Sequence, residues 1–468
     1  MNHKTLWTFA ISSVAVFMVT LDNLVVTTAL PVIRKDLHAG LSGLEWTVNA
    51  FTLTFAVLLM TGAALGDRLG RRRMFVFGLS VFTLASAAAA LAPSIAALNV
   101  ARAVQGLGGA IVMPLTLTIL SAAVPPERRG LALGAWGGIS GLAVAFGPLV
   151  GGAVVDGISW HWIFWLNVPI GLVLIPLALT RLTETRGPDS RLDVPGVALA
   201  SAGLFGLVWA LVRGNSVGWG SAEIVGSFAA GAVLLAAFVA WERRAATPML
   251  RLDFFRDRTF SLANVASLLM SFGMFGSIFF LAQFFQTVQG YSPLASGLRI
   301  LPWTAMPMLV APIAGALSDR IGGQRLMGAG LTLQAIGLGW IAAVSTPTTP
   351  YVDLVAPFIV SGIGMSLFFA PVANVILGSV RPELEGQASG ANNAIRELGG
   401  VFGVAVLAAV FAHAGGYQSF AAFTHGMNVA VWIGAAVVLA GALAAFAIPS
   451  RPRRAQVDEF EPAYEAAA

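Results

Sequence analysis

The sequence predicts an all-α polytopic membrane protein of fourteen transmembrane helices, organised as two parallel six-helix bundles with two further helices inserted between them. Three observations predict it. Of 468 residues, 57% are hydrophobic and 10% charged, with a mean hydropathy of +0.82, where a soluble domain carries about 25% charge. Fourteen runs reach the roughly 20 apolar residues that a helix needs to cross a bilayer. A short charged loop recurs at the same place in each half of the chain. The scarcity of charge excludes a soluble enzyme. The absence of cysteine excludes a disulfide framework and a thiolate nucleophile.

The runs lie near 7–30, 46–65, 74–92, 96–120, 131–155, 162–180, 194–212, 223–241, 260–286, 297–317, 326–345, 353–378, 390–412 and 428–448. The first is too long for a signal peptide, lacks a small-residue cleavage site and holds Asp22, so it reads as a retained span. Cytoplasmic loops of membrane proteins collect Lys and Arg. With both termini in the cytoplasm, 22 of the 27 basic residues fall on the inner side, and only Arg34, Lys35, Arg213 and Arg299 fall outside. The remaining one, Arg102, is within a span. The net charge of +5 therefore reports topology in a cytoplasmic membrane, with the lipid bilayer as partner and no nucleic acid.

The recurring loop reads LGDRLGRRR after the second run and LSDRIGGQR after the tenth. Asp67 and Asp319 are 252 residues apart, and the ninth run starts about as far after the first. Runs 1–6 therefore repeat as runs 9–14. The expected division is 1–185 for one bundle, 186–250 for the inserted helices, 251–450 for the second bundle and 451–468 for a cytoplasmic tail. Parallel repeats of six helices suit a rocking-bundle transporter with its site at the midplane.

These motifs resemble the major facilitator superfamily, and within it the fourteen-helix drug:proton antiporters. The DRxG loop (Asp67, Arg68, Gly70, Arg71; Asp319, Arg320, Gly322) is that superfamily's hallmark, although Ala63 stands where the first copy usually begins with Gly. LDNLVVTTALPVI around Asp22, NVARAVQGLGGA around Arg102 and Gln105, and FGPLVGG with Gly147, Pro148, Gly151 and Gly152 are similar to further signatures of the antiporters. WHWIFWLNVPIG and ASGANNAIRELGG follow in the expected order. The resemblance implies a proton-coupled exporter of drugs, antibiotics or toxic metabolites that needs no cofactor or metal. Relatives that carry divalent cations have an extra acid in helix 10. None occurs in RILPWTAMPMLVAPIAGAL, which implies a hydrophobic substrate that is neutral or monocationic.

The residues themselves support a proton-coupling pair. An ionised acid within a span costs about 2.5–3.5 kcal/mol even on the lenient insertion scale, so such groups are usually functional. At 1.5 Å per residue, Asp22 lies roughly 12 Å from the outer end of its run and Arg102 roughly 9 Å, so the two can meet. Burial favours the neutral form of a carboxyl group, and a nearby guanidinium favours the ionised form. Arginine keeps its proton, so Asp22 is the member that titrates. It takes a proton when the pair parts, or when substrate displaces Arg102, and releases it when the pair closes.

The glycines of FGPLVGG let helix 5 approach a neighbour closely. Prolines 302, 307 and 312 permit helix 10 to kink. In the DRxG loops, Asp67 can cap or pair with a neighbouring helix end. Polar side chains in apolar spans need partners or a cavity, so Asn23, Asn49, Gln105, Gln283, Gln286 and Asn374 are expected to line the substrate path, with Trp303 and Phe368 stacking on a flat ligand. A proton-linked nutrient transporter is the alternative. A membrane enzyme lacks support, because His3, His38, His161, His413 and His425 sit in tails, loops or span ends, none beside acids at metal-ligand spacing. An ATP-driven pump would need a GxxxxGK[ST] loop, which the chain does not contain.

Overall fold

The computed structural model describes residues 3–124, 126–186, 193–381 and 384–449, and among these no strand occurs. The tail expected over 451–468 lies outside the described residues. The helices, in chain order, are α1 (His3–Asp36), α2 (Leu41–Leu69), α3 (Arg71–Ala90), α4 (Ile95–Ala123), α5 (Pro126–Gly157), α6 (Trp162–Trp165), α7 (Asn167–Arg181) and α8 (Val194–Val217). They continue with α9 (Ala222–Glu242), α10 (Arg258–Gln283), α11 (Pro293–Thr304), α12 (Met306–Ile321), α13 (Gly323–Val344), α14 (Tyr351–Leu377), α15 (Glu385–Ala414) and α16 (Phe420–Phe446).

Among the described residues, twelve helical stretches are long and apolar enough to cross a membrane. Helix α5, of 32 residues, stands where the fifth span is expected. The tenth expected span is divided between α11 and α12 at Ala305. Pro307 has no N–H to give to the turn before it, and Met308 N–H instead reaches back to Ala305 O at 3.1 Å.

The repeat is visible in the backbone. A single glycine joins α2 to α3 and another joins α12 to α13. Gly70 has φ 112°, ψ 125° and Gly322 has φ 93°, ψ 132°, in the positive-φ region that favours glycine. We call the side of the molecule bearing these two glycines the DRxG side, and the opposite end the far side.

Helix α1 packs on α5 and α4, and α4 on α2 and α3, while α10 packs on α15 and α16, and α13 on α14 and α16. Two seams join these groups, one between α5 and α11 and one between α2 and α15. The α8–α9 hairpin lies along the second seam. There Leu204 and Val208 of α8 form one buried cluster with Leu53 and Val57 of α2 and Val401 and Ala405 of α15.

Asp193 fastens this hairpin. Its carboxylate caps α8 by accepting from Gly196 N–H at 3.0 Å, and also accepts from Trp241 Nε1 at 2.7 Å and Met249 N–H at 3.3 Å. Burial pushes the Asp193 carboxyl up, but these hydrogen bonds outweigh it and hold the group below the ordinary aspartate range. Asp193→Ala is expected to cost about 1–2 kcal/mol of stability through the lost cap, read as a lower melting temperature in detergent. Because the folded-state value is depressed, the wild-type advantage is present above the unfolded value near 3.9. It disappears as the pH falls through the folded value.

Candidate functional site

Asp22 and Arg102 meet. Both side chains are fully buried, and Arg102 Nη1 donates to Asp22 Oδ2 at 2.5 Å. The other carboxylate oxygen accepts from Gln105 Nε2 at 2.8 Å and from Asn167 Nδ2 at 2.6 Å. Arg102 also donates to Thr47 O at 3.2 Å and to Gln105 Oε1 at 2.8 Å, and its guanidinium lies 4.3 Å from the Phe51 ring centre. Ser86 Oγ accepts from both amides, from Gln105 at 2.7 Å and from Asn167 at 3.1 Å. Five helices, α1, α2, α3, α4 and α7, thus converge on one hydrogen-bonded network around the ion pair, with α4 and α7 contacting the carboxylate itself. A buried charge survives only with partners of this number and quality.

Sequence reasoning missed Asn167 and Ser86. The signal for Asn167 was present, since it is the one amide in WHWIFWLNVPIG. The α6–α7 break at Leu166 starts a new helix at Asn167, whose side chain then faces α1. Glu45 was missed as well. Helix α2 begins at Leu41, five residues before the expected run, so Glu45 falls inside it and is 2% exposed.

A cavity of about 2490 Å³ runs from Val19, Asn23 and Leu24 down to Asp67, Arg71, Arg243 and Arg256 on the DRxG side. Neither Asp22 nor Arg102 is on its wall. The expectation that substrate displaces Arg102 directly is therefore corrected for this conformation, because the guanidinium is behind α1, α2 and α4. Parting of these helices is the route that remains.

Of the polar and aromatic residues expected to line the path, Asn23 does so. The others lie elsewhere, and the three glutamines among them spend their amides on other protein groups. Gln105 belongs to the ion pair. Gln283 Nε2 donates to Phe279 O at 2.9 Å, and its Oε1 accepts from the Tyr417 hydroxyl at 2.5 Å. Gln286 Nε2 donates to Thr28 O at 2.8 Å, joining α10's end to α1. Asn49 and Trp303 are fully buried, and Trp303 stacks on Phe358 with centroids 6.2 Å apart. Phe368 is fully buried behind Phe369, which does line the cavity, and Asn374 is exposed at the end of α14.

The far side is closed along the α5–α11 seam, where the motif glycines stand. A Cβ at Gly152 would collide with the Pro293 carbonyl, and one at Gly297 with the Pro148 carbonyl. Gly147 and Gly151 similarly admit Leu24, Val25 and Thr28 of α1. Arg34 adds to the closure by stacking 3.4 Å from the Tyr417 ring centre. Gly152→Leu is expected to wedge this seam apart. In proteoliposomes, labelling from the far side of a single cysteine introduced at the seam of this cysteine-free chain should rise severalfold, with transport lost. Unchanged labelling would refute the seal.

On the DRxG side, Asp67 pairs with Arg71 at 2.8 Å within the loop itself. The expected contact of Asp67 with a neighbouring helix end is made by another residue. Glu184 accepts from Arg72 N–H at 3.0 Å and Arg73 N–H at 3.3 Å, capping α3 from the end of α7. Arg68 is exposed. In the second copy, the side chains of Asp319 and Arg320 lie outside the described residues, while Gly322 takes the expected turn.

An all-helical, membrane-crossing chain with a central cavity walled by two groups of helices, open to one side and closed at the other, is a membrane transporter. The chain matches the Major Facilitator Superfamily over residues 12–404 and 303–466, and it belongs to that family. It is 36% identical over 403 residues to the tetracenomycin C resistance and export protein of Streptomyces glaucescens, covering 86% of this chain and 74% of that protein. It is 36% identical over 414 residues to the multidrug resistance protein Stp of Mycobacterium tuberculosis (88% and 77% covered). Identity to the methylenomycin A resistance protein of Streptomyces coelicolor is 32% over 441 residues (93% and 91% covered). The fold is also that of an auto-inhibited POT family peptide transporter, with a TM-score of 0.70 at 15% identity over 99% of both chains.

Proposed function

We propose that this protein is a proton-coupled efflux antiporter that exports drugs, antibiotics or toxic metabolites across the cytoplasmic membrane by alternating access. The observation that carries the coupling is the buried Asp22–Arg102 pair, set directly behind the cavity wall formed by Val19 and Asn23. The relatives named for resistance and export support the direction of transport. Both termini and the DRxG loops face the cytoplasm in this reading, so the cavity opens inward and the α5–α11 seam seals the outside. Fourteen crossings fit it, counting α5 and the divided α11–α12. The bundles are 1–185 and 251–450, with the α8–α9 hairpin of the 186–250 insert covering the α2–α15 seam.

In the cycle, substrate enters from the cytoplasm and the bundles rock. Parting of α1 from α4 hydrates the carboxylate, which takes a proton from outside as substrate leaves. Return to the inward state restores the guanidinium contact, and the proton is released inside. The loop pair Asp67–Arg71 and the Glu184 cap brace α2, α3 and the end of α7, so that the first bundle moves as one body. Everted vesicles from a pump-deficient host test this. Adding a transported antibiotic should collapse a pre-formed pH gradient in vesicles that contain the protein. A gradient that no compound among those exported by the relatives disturbs would contradict the proposal.

A further inference from the structure

One wall of the cavity differs from the rest. Helix α15 presents Gln387, Gly390, Asn393 and Arg396 to it, at the three-residue spacing of one helix face. Facing them are Phe55 and Met60 of α2, Met113 of α4, and Met365 and Phe369 of α14. Arg396 is six residues into the apolar run 390–412, roughly 9 Å inside the inner edge of the hydrocarbon core. A cation at that depth is expensive unless something answers it.

Little in the protein does. A guanidinium has five N–H donors, and among the described residues Arg396 makes one hydrogen bond, from Nη2 to Glu397 Oε1 at 3.4 Å. Neighbours in sequence on a helix do not face each other, so this pair cannot close into a two-bond fork. The Arg396 side chain is 27% exposed, into the cavity, while that of Glu397 is only 9% exposed. The Phe369 ring is 5.5 Å from the guanidinium. Other acids do not balance the charge. Asp22 is sealed behind the wall by Arg102, and the remaining acids of the lining are engaged toward the cavity mouth, Asp67 by Arg71, Asp253 by Arg251, and Asp193 and Glu242 by backbone N–H groups. Arg396, answered only by the long contact to Glu397, turns its charge into the chamber beside an aromatic ring in a Met- and Phe-rich enclosure.

We infer that Arg396 is the substrate anchor, and that the cavity takes flat aromatic molecules bearing one acidic group, a phenolate or a carboxylate. The acid would meet the guanidinium as a planar two-bond pair, and the rings would lie against Phe369 and the adaptable methionines. The inference rests on the efflux reading and replaces its neutral or monocationic substrate with an anionic one. It also changes the energetics. Exporting a monocation for one proton moves no net charge. Exporting a monoanion for one proton moves two charges, which at 100 mV supports a gradient of roughly two-thousand-fold.

The test uses the full-length protein in detergent and three fluorescent probes that share one ring system: anthracene-9-carboxylate, the uncharged 9-(hydroxymethyl)anthracene and the cationic 9-(aminomethyl)anthracene. The carboxylate should bind at least tenfold tighter than the alcohol, and the amine weakest. Arg396→Gln should remove that tenfold preference while leaving alcohol binding unchanged, which also reports that the variant is folded. Glu397→Gln, by removing the competing acceptor, should tighten carboxylate binding. Should Arg396→Gln fail to fold, the ranking of the three probes on the wild-type protein decides alone. The inference is overturned if the amine binds as tightly as the carboxylate, if Arg396→Gln weakens all three equally, or if none binds. The efflux reading fails separately: correct ranking in detergent, with no probe collapsing the pH gradient of everted vesicles, would leave the anchor standing and remove the coupling.

Discussion

Asp22→Asn is expected to abolish proton-coupled efflux while the protein is still made and inserted. The amide cannot take up or release a proton, so the exchange loses its titrating member. Downhill substrate movement should persist, because the residue is behind the cavity wall and touches no substrate. Susceptibility of a pump-deficient host should return to that of the empty vector. The variant should also be less stable, since Arg102 cannot shed its charge and is left with neutral partners only, among them Thr47 O, Gln105 Oε1 and the Phe51 face. Removing one partner of a buried ion pair costs about 3–5 kcal/mol. A melting temperature lowered by several degrees in detergent is the expected reading.

Arg102→Gln should be equally inactive but less damaged. Its loss leaves a buried carboxylate, and a carboxyl group can escape the cost of burial by holding a proton, a choice that arginine does not have. Gln105 Nε2 and Asn167 Nδ2 remain to bind one oxygen of the acid. The stability order is therefore wild type above Arg102→Gln above Asp22→Asn. The double variant, with neither charge, should recover much of the loss without regaining coupling, because residues in contact do not act additively. Equal losses in both single variants would mean that the orphaned carboxyl gains nothing by holding a proton, and no loss in either would mean that the pair contributes no charge balance.

Much of this was legible because charge is rare in the chain. Asp22 and Arg102 stand out against apolar runs, and depth along a helix is a matter of counting, so their meeting could be read before any coordinates. The DRxG loops were legible because a one-residue turn demands glycine at Gly70 and Gly322. What could not be read was rotation. A helix that is apolar all round carries no stripe to say which side faces a cavity, so Gln105, Gln283 and Gln286 were assigned to substrate when they serve other helices. Asn167 stood out as the one amide of its motif, but that it meets Asp22, and that Ser86 ties it to Gln105, could not be read for the same reason, since convergence of five helices on one ion-pair network is a three-dimensional fact. Glu45 was lost to a helix start placed five residues late.

The most direct test of the central claim is proton movement driven by substrate in proteoliposomes that contain only this protein. A downhill gradient of transported compound is imposed, with a pH-sensitive dye trapped inside. Wild-type protein is expected to give a counterflow of protons. With Asp22→Asn, the compound should equilibrate and the internal pH should not change. An Asp22→Asn protein that still moves protons against substrate would show that the coupling resides elsewhere.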